Sequence, residues 1–233
     1  MFYKTNWLDI SYEASFRNPV FELARENVEV LKIFHQHLTP HYSVSSSDMQ
    51  AIGGNALSDL KARINLFRGN GVLEVTADKF SATFKNALWK DVETIKDCVG
   101  KGLAATTEWS PDLAYGEQVI RLAAFLNLMG EADARDNFLH NLIGSKMTLR
   151  ADDFGASKIY PGLKVEFENS CDKWMVGFDV YRSWVKNEIL IVNCSAFYRE
   201  NGALTTFEDK AIHAEKLFAD FLAKIELIRQ DPE

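Results

Sequence analysis

The chain has 233 residues, of which 47% are hydrophobic, 25% charged and 12% aromatic, a composition that excludes disorder and fits one large folded domain or two small ones. Its 26 Lys and Arg against 33 Asp and Glu leave a net charge of −7, which disfavours sequence-independent binding to nucleic acid because that binding needs a positive surface. The longest apolar stretches, 119–129 and 189–197, stop short of the ~20 residues that a membrane-spanning helix needs. Residues 1–11 mix Lys4, Asn6 and Asp9 with aromatics and hold no continuous apolar core of a secretory signal. The expectation is a cytoplasmic protein of bacterial type with no membrane partner. Cys98, Cys171 and Cys194 are odd in number and widely spaced, which argues for reduced, packed thiols rather than a disulfide framework or a zinc knuckle.

From residue 8 to 16 the chain alternates, with Leu8, Ile10, Tyr12, Ala14 and Phe16 on one side and Asp9, Ser11, Glu13 and Ser15 on the other, the pattern of a half-buried strand. After Asn18-Pro19, the helical spacing of Ala24, Val28, Leu31, Phe34 and Leu38 predicts a helix that Pro40 ends. A Ser/Gly loop over 45–55 then leads to a strand carrying Leu60, Ala62, Ile64 and Leu66. Arg68-Gly69-Asn70-Gly71 marks a tight turn, since Asn and Gly tolerate positive φ, and strands follow at 72–76 and 79–85. Leu88, Val92, Ile95, Val99 and Leu103 predict a second helix, frayed by Gly100 and Gly102.

The second half repeats this order. Ala14-Ser15-Phe16-Arg17-Asn18 is echoed 109 positions later by Ala123-Ala124-Phe125-Leu126-Asn127, and the helix end Phe34-His35-Gln36-His37-Leu38 is echoed 104 positions later by Phe138-Leu139-His140-Asn141-Leu142. Propensity alone favours a helix over 119–129, rich in Ala and Leu; the echo assigns it to a strand. A strand at 146–150 would match 41–45, and further strands are predicted at 163–168, 173–184 and 188–197. A long helix over 207–228 opens on a capping box of Thr205 and Glu208. Each half thus gives strand, helix, about four strands, helix, with a join near 106–116. The expected fold class is α+β: a duplicated, pseudo-twofold unit with an antiparallel sheet and helices on one face, its repeats at 1–110 and 111–233 packed as a single unit.

That order, together with the Ala-x-Phe-x-Asn echo, resembles the duplicated saddle of the TATA-box-binding-protein fold and is similar to helix-grip and SecB-like α+β folds. The chain as a whole resembles a sporadically distributed family of uncharacterised bacterial proteins of similar length and duplicated organisation. Fold does not fix function, and the resemblance carries no catalytic or binding residue onto this sequence.

Chemistry-bearing groups are few. His35, His37 and His41 form the one histidine cluster, but His35 and His37 diverge by about 200° on a helix and Pro40 separates His37 from His41; solvated helix-end histidines explain them. His140 and His213 look structural. Gly53-Gly54-Asn55 and Arg68-Gly69-Asn70-Gly71 fit neither phosphate-binding glycine motif. Asp153-Phe154-Gly155 lacks the other kinase elements, Ser45-Ser46-Ser47-Asp48 lacks a nucleophile elbow, and Glu166 and Glu168 fit the outer face of a half-buried strand. No catalytic residue, metal or cofactor is assigned.

Sheet faces say more. In the first half Lys61, Arg63, Lys79 and Lys85 lie on the non-core parity with Glu74 as the main opposing charge, a small basic face and the candidate nucleic-acid contacts. In the second half the strands are apolar on both parities, as when both faces are covered, and Trp174, Met175, Tyr181, Leu190 and Val192 are the candidate protein interface. Phe207, Ala211, Ala214, Phe218, Phe221, Ile225 and Ile228 form a heptad-like seam on the last helix, wide enough to pack on its own sheet. The reading of function is a non-enzymatic interaction or assembly protein that self-associates or binds a protein partner. The alternatives are nucleic-acid contact through the first-half sheet, and a small-ligand carrier or unrecognised enzyme.

Overall fold

A computed structural model describes residues 1–53, 59–130, 133–143, 162–183 and 189–230; the strand expected at 146–150 lies outside them. The first half runs β1 (Phe2–Phe16), α1 (Leu23–Leu38), β2 (Met49–Ile52), β3 (Lys61–Leu66), β4 (Gly71–Thr76), β5 (Lys79–Ala87) and α2 (Val92–Trp109). The second runs β6 (Tyr115–Leu128), α3 (Ala134–Ile143), β7 (Leu163–Asn169), β8 (Trp174–Arg182), β9 (Ile189–Tyr198), α4 (Phe207–Lys224) and β10 (Ile228–Arg229). The ten strands form one sheet in the order β2-β3-β4-β5-β1-β6-β9-β8-β7, with β10 added beside β1. All ladders are antiparallel except β1 with β10. The protein is therefore α+β, built on a large antiparallel sheet.

Alternation in the strands sorts side chains to two faces. Leu8, Ile10, Tyr12 and Ala14 of β1 are buried, as are Ala62, Ile64, Leu73, Val75, Phe80, Ala82, Leu122, Ala124, Leu126, Val176, Phe178, Leu190 and Val192. The helices supply the other side of this core. Leu23, Val30, Leu31, Phe34 and Leu38 of α1 are buried at helical spacing, Phe34 lies against Phe80 of β5, and Phe221 of α4 stacks on Phe178 of β8 at 4.1 Å. Residues from all four α-helices and both halves belong to one apolar cluster, and complete burial of each large aliphatic or aromatic side chain in it contributes roughly 1.5–3 kcal/mol.

Several elements differ from expectation, each for a local reason. Residues 41–45 are loop, and the edge strand β2 lies further on, inside the expected 45–55 loop, where Met49 and Ala51 pair with Ile64 and Ala62. Helix α2 runs unbroken through Gly100 and Gly102 to Trp109. A Cβ on Gly102 would stand 2.9 Å from the Phe80 ring, so this glycine lets α2 lie close on β5 rather than fraying it. The N-cap of α4 is Thr206, whose side chain accepts from Asp209 N–H at 3.1 Å, one residue beyond the expected Thr205 and Glu208 box. Helix α4 stops at Lys224; Glu226 turns left-handed with φ 62°, and Ile228 N–H donates to the Met1 carbonyl, placing β10 on the N-terminal end of β1.

Strand β6 is extended despite its helix-favouring Ala and Leu. It lies between β1 and β9 and bonds to both along nearly its whole length, and two ladders plus a buried apolar face override a propensity difference of a few tenths of a kcal/mol per residue. The echo that assigned it does not match in facing: Phe16 is buried beneath the helices, whereas Phe125 stacks on Trp7 on the opposite face.

Candidate functional surface on the helix-free sheet face

The helices occupy one side of the sheet, and the other side presents rows of side chains that cross the strands in register. One row is Trp7 of β1, Phe125 of β6, Ile191 of β9 and Tyr181 of β8. An extra residue in β1 between Thr5 and Trp7 brings the Trp7 ring opposite Phe125, where the two stack at 4.6 Å with 20° between planes; such a bulge re-aims a side chain without ending the pairing. Asn193 donates from Nδ2 to the Tyr181 hydroxyl at 3.0 Å and orients that ring. A second apolar row, Val119, Phe197 and Met175, lies toward the other end of the same strands. Trp7, Phe125, Phe197, Met175 and Tyr181 are half-buried, whereas Val119 and Ile191 are buried at 5% and 9% exposure.

Between these rows the face is polar. A hollow of about 260 Å³ is walled by Asp9, Ser11, Thr83, Lys85, Arg121, Asn193 and Ser195, drawn from β1, β5, β6 and β9. A second bulge shapes it: between the pairs Ile10–Phe84 and Leu8–Ala87, β5 sets two residues, Lys85 and Asn86, against the single Asp9 of β1, with Asn86 left-handed at φ 56°. The Asn86 N–H donates to Asp9 Oδ1 at 3.0 Å, and the bulge sets Lys85 at the rim. Lys85 and Arg121 are exposed, and neither is ion-paired with another described residue.

The five residues of the expected protein interface do not share a face. Leu190 and Val192 are 0% exposed beneath the helices, so they belong to the core and cannot meet a partner in the folded chain. Trp174 is on the same side, edge-on to His213 of α4 at 5.0 Å. Only Met175 and Tyr181 point away from the helices. Alternation within β8 and β9 separates them, and reading both parities as one surface merged two faces. The basic set does share the helix-free face, but its charge is largely spent. Lys61 pairs with Glu74 at 3.5 Å and Lys79 with Glu13 at 2.8 Å, and Arg63 is opposite Glu74 and donates from Nε to Asn65 at 3.3 Å. Arg63 and Lys85 have no ion pair with another described residue, and of the two only Lys85 is exposed and without a hydrogen-bonded side-chain partner. Arg121 and Trp7, which complete the hollow and the aromatic row, were missed because pairing β1 with β6 is what brings them beside Lys85 and Tyr181.

Other candidate groups have structural work. His37 meets Glu108 at 2.7 Å across α1 and α2. Asp48 accepts from the Ser45 hydroxyl and, to a lesser degree, from its backbone N–H, which hold its carboxyl below the usual carboxylate range. Tyr198 donates its hydroxyl proton to the Lys210 carbonyl at 2.9 Å, and the same oxygen is 3.1 Å from His213 Nδ1. Among the described residues no group of three or more His, Cys, Asp or Glu could hold a metal ion, and no helix is long and apolar enough to cross a membrane. Comparison with known proteins finds no family model that matches the chain and no matching curated protein.

Proposed function

We propose that this chain is a non-enzymatic interaction protein that associates with a second copy of itself through the helix-free face of its sheet. The observation that carries the reading is the row Trp7, Phe125, Ile191 and Tyr181, which crosses four adjacent strands on the side away from the helices and is stiffened by the Trp7–Phe125 stack and the Asn193 hydrogen bond. Rigid aromatics backed by a sheet lose little conformational entropy on binding and are favoured as interface anchors. The expected result is a wild-type dimer or larger species in size-exclusion chromatography with light scattering, and a monomer for Tyr181→Asp and Met175→Asp, each with an unchanged circular dichroism spectrum. A wild-type monomer at about 100 μM, a concentration that populates even weak dimers, would overturn the reading.

The order of elements supports a tandem origin for this surface. In the first half the opening strand β1 lies beside the closing strand β5; in the second, β6 lies beside β9. The two opening strands meet antiparallel at the centre. We take the repeats as 1–110 and 111–233, joined into one pseudo-twofold unit, and superposition of the two sets of matched strands tests that origin.

The hollow favours a second reading, contact with nucleic-acid phosphate. Lys85 and Arg121 form a cationic pair there, whereas Lys61 and Lys79 are neutralised. On this reading a labelled oligonucleotide binds at low salt and weakens on Lys85→Glu and Arg121→Glu more than on Lys61→Glu, and each lost phosphate contact makes the salt dependence shallower. No change in anisotropy at low salt would dispose of it.

A further inference from the structure

A second concavity lies on the helix side of the sheet, at the end where β4 begins and β5 runs on beyond it. It holds about 210 Å³ and is walled by Phe67 and Asn70 of the β3–β4 turn, Phe84, Lys85, Asn86 and Ala87 of β5, and Asp91, Thr94 and Ile95 at the start of α2. We propose that it binds the head of a small quaternary ammonium compound, a permanently charged cation with a compact apolar shell.

The apolar part is made by Phe67, Phe84, Ala87 and Ile95. The two phenyl rings lie 6.0 Å apart at 53°. Phe84 and Ile95 are buried, whereas Phe67 is 39% exposed yet firmly held. Its ring is edge-on to Tyr42 at 5.7 Å, and the Tyr42 hydroxyl donates to Asp97 Oδ2 at 2.6 Å. It also fills the space a side chain at Gly71 would need, since a Cβ there would come within 2.8 Å of Phe67 and 2.9 Å of Phe84. An exposed aromatic fixed this way offers a ring surface at little cost in rotamer entropy. Phe67 holds this place with a left-handed backbone, φ 51°, and non-glycine residues in that region concentrate at ligand clamps.

Charge decides the ligand. Asp91 is the one acid and Lys85 the one base among the lining residues, and they serve opposite sides of the sheet. Lys85 follows the buried Phe84 in β5, so its main chain borders this cavity while its side chain belongs to the helix-free hollow. Asp91 stands three and four residues before Thr94 and Ile95, a spacing that sets all three on one side of the helix start. Its Oδ2 accepts from Leu88 N–H at 2.9 Å, and the carboxylate makes no ion pair with another described residue. A carboxylate beside aromatic rings, with no cation of its own, attracts a positive ligand. A divalent metal is a poor match, because it needs several hard oxygen ligands and only one carboxylate is here. A primary ammonium brings three N–H donors to a helix wall with two side-chain acceptors, Asp91 and Thr94. A quaternary ammonium has no N–H to satisfy and gains from contact with ring faces. The volume, below the roughly 300 Å³ at which drug-sized sites begin, limits the ligand to one compact head.

The test is amide NMR of the full chain titrated with choline, with its neutral carbon isostere neohexyl alcohol, and with ethanolamine. Saturable shifts at Phe67, Ala87, Asp91 and Thr94 are expected with choline, and weaker binding of the other two. Asp91→Asn keeps an oxygen for the Leu88 N–H and should weaken choline about tenfold, the worth of a unit charge a few ångströms away under screening between that of bulk water and a protein surface, while leaving the alcohol unchanged. Thr94→Lys, at an exposed position, sets a competing ammonium one turn from Asp91 and should abolish choline binding with the rest of the amide spectrum intact. No saturable shift at these four amides by about 20 mM choline, where even contacts weaker than millimolar register, overturns the proposal. So does a choline affinity indifferent to Asp91→Asn, ethanolamine binding as tightly as choline, or shifts confined to Trp7 and Tyr181, which place the cation on the aromatic row of the other face.

Discussion

Asp97 shows how one side chain ties distant segments. Its carboxylate accepts from the Tyr42 hydroxyl beyond the end of α1 and pairs with Lys101 one turn along α2. Those partners, Lys101 first, hold its carboxyl below the ordinary carboxylate range. A depressed folded-state value contributes stability above the unfolded value near 3.9 and loses it as pH falls through the folded one. Asp97→Asn should therefore lower the denaturation midpoint at pH 7 by an amount that shrinks toward pH 3, read from urea melts at a series of pH values. The cysteines make a second test. Burial pushes Cys98 and Cys194 up to about 12, both being 0% exposed, whereas Cys171 is exposed in the β7–β8 turn. A thiol reagent at pH 8 should titrate one group per native chain quickly and all three only after denaturation, since the thiolate is the reacting form. The sequence showed that these thiols are too scattered for a framework; which of them is open depended on the alternation of β9 and the buried side of α2.

The boundaries of the elements were set by contacts between elements. The sequence reads Gly102 as a weak point of a helix, whereas the Phe80 ring beneath it makes it a place of close approach. Gly102→Val should cost about 1–3 kcal/mol through overpacking, whereas Gly100→Ala, with nothing within 4 Å, should be neutral or stabilising by up to about 1 kcal/mol through helix propensity; thermal melts of the two variants distinguish these outcomes. The seam on α4 is settled in the same way. Phe207 meets Tyr12, Phe218 meets Trp89 and Phe221 meets Phe178, so the heptad-like spacing serves packing on the chain's own sheet. Thr206→Ala should cost about 1 kcal/mol, the usual worth of an N-cap, and Thr205→Ala much less.

Across the whole molecule the halves are joined by more than the β1–β6 ladder. Strand β10, at the end of the second half, pairs with β1 of the first, Arg17 of the first half ion-pairs with Glu200 of the second, and one apolar cluster runs through both. Unfolding should be a single cooperative transition, with fluorescence and circular dichroism midpoints coinciding and no stable half released by limited proteolysis. Most of this architecture was legible in the sequence because burial on one face leaves a period of two in strands and about 3.6 in helices, and both periods are local. The α+β class, the positions of α1, α2 and α4 and the separation of core from outer parity in β1, β3 and β5 follow from that alone. Pairing is not local. Which strand lies beside which is fixed by long-range hydrogen bonding and by bulges that a residue string does not display, so the tertiary structure alone decided that Leu190 and Val192 lie under helices, that Lys61 and Lys79 are neutralised by carboxylates, and that Trp7, Arg121 and Lys85, far apart in the chain, meet on one side of the sheet.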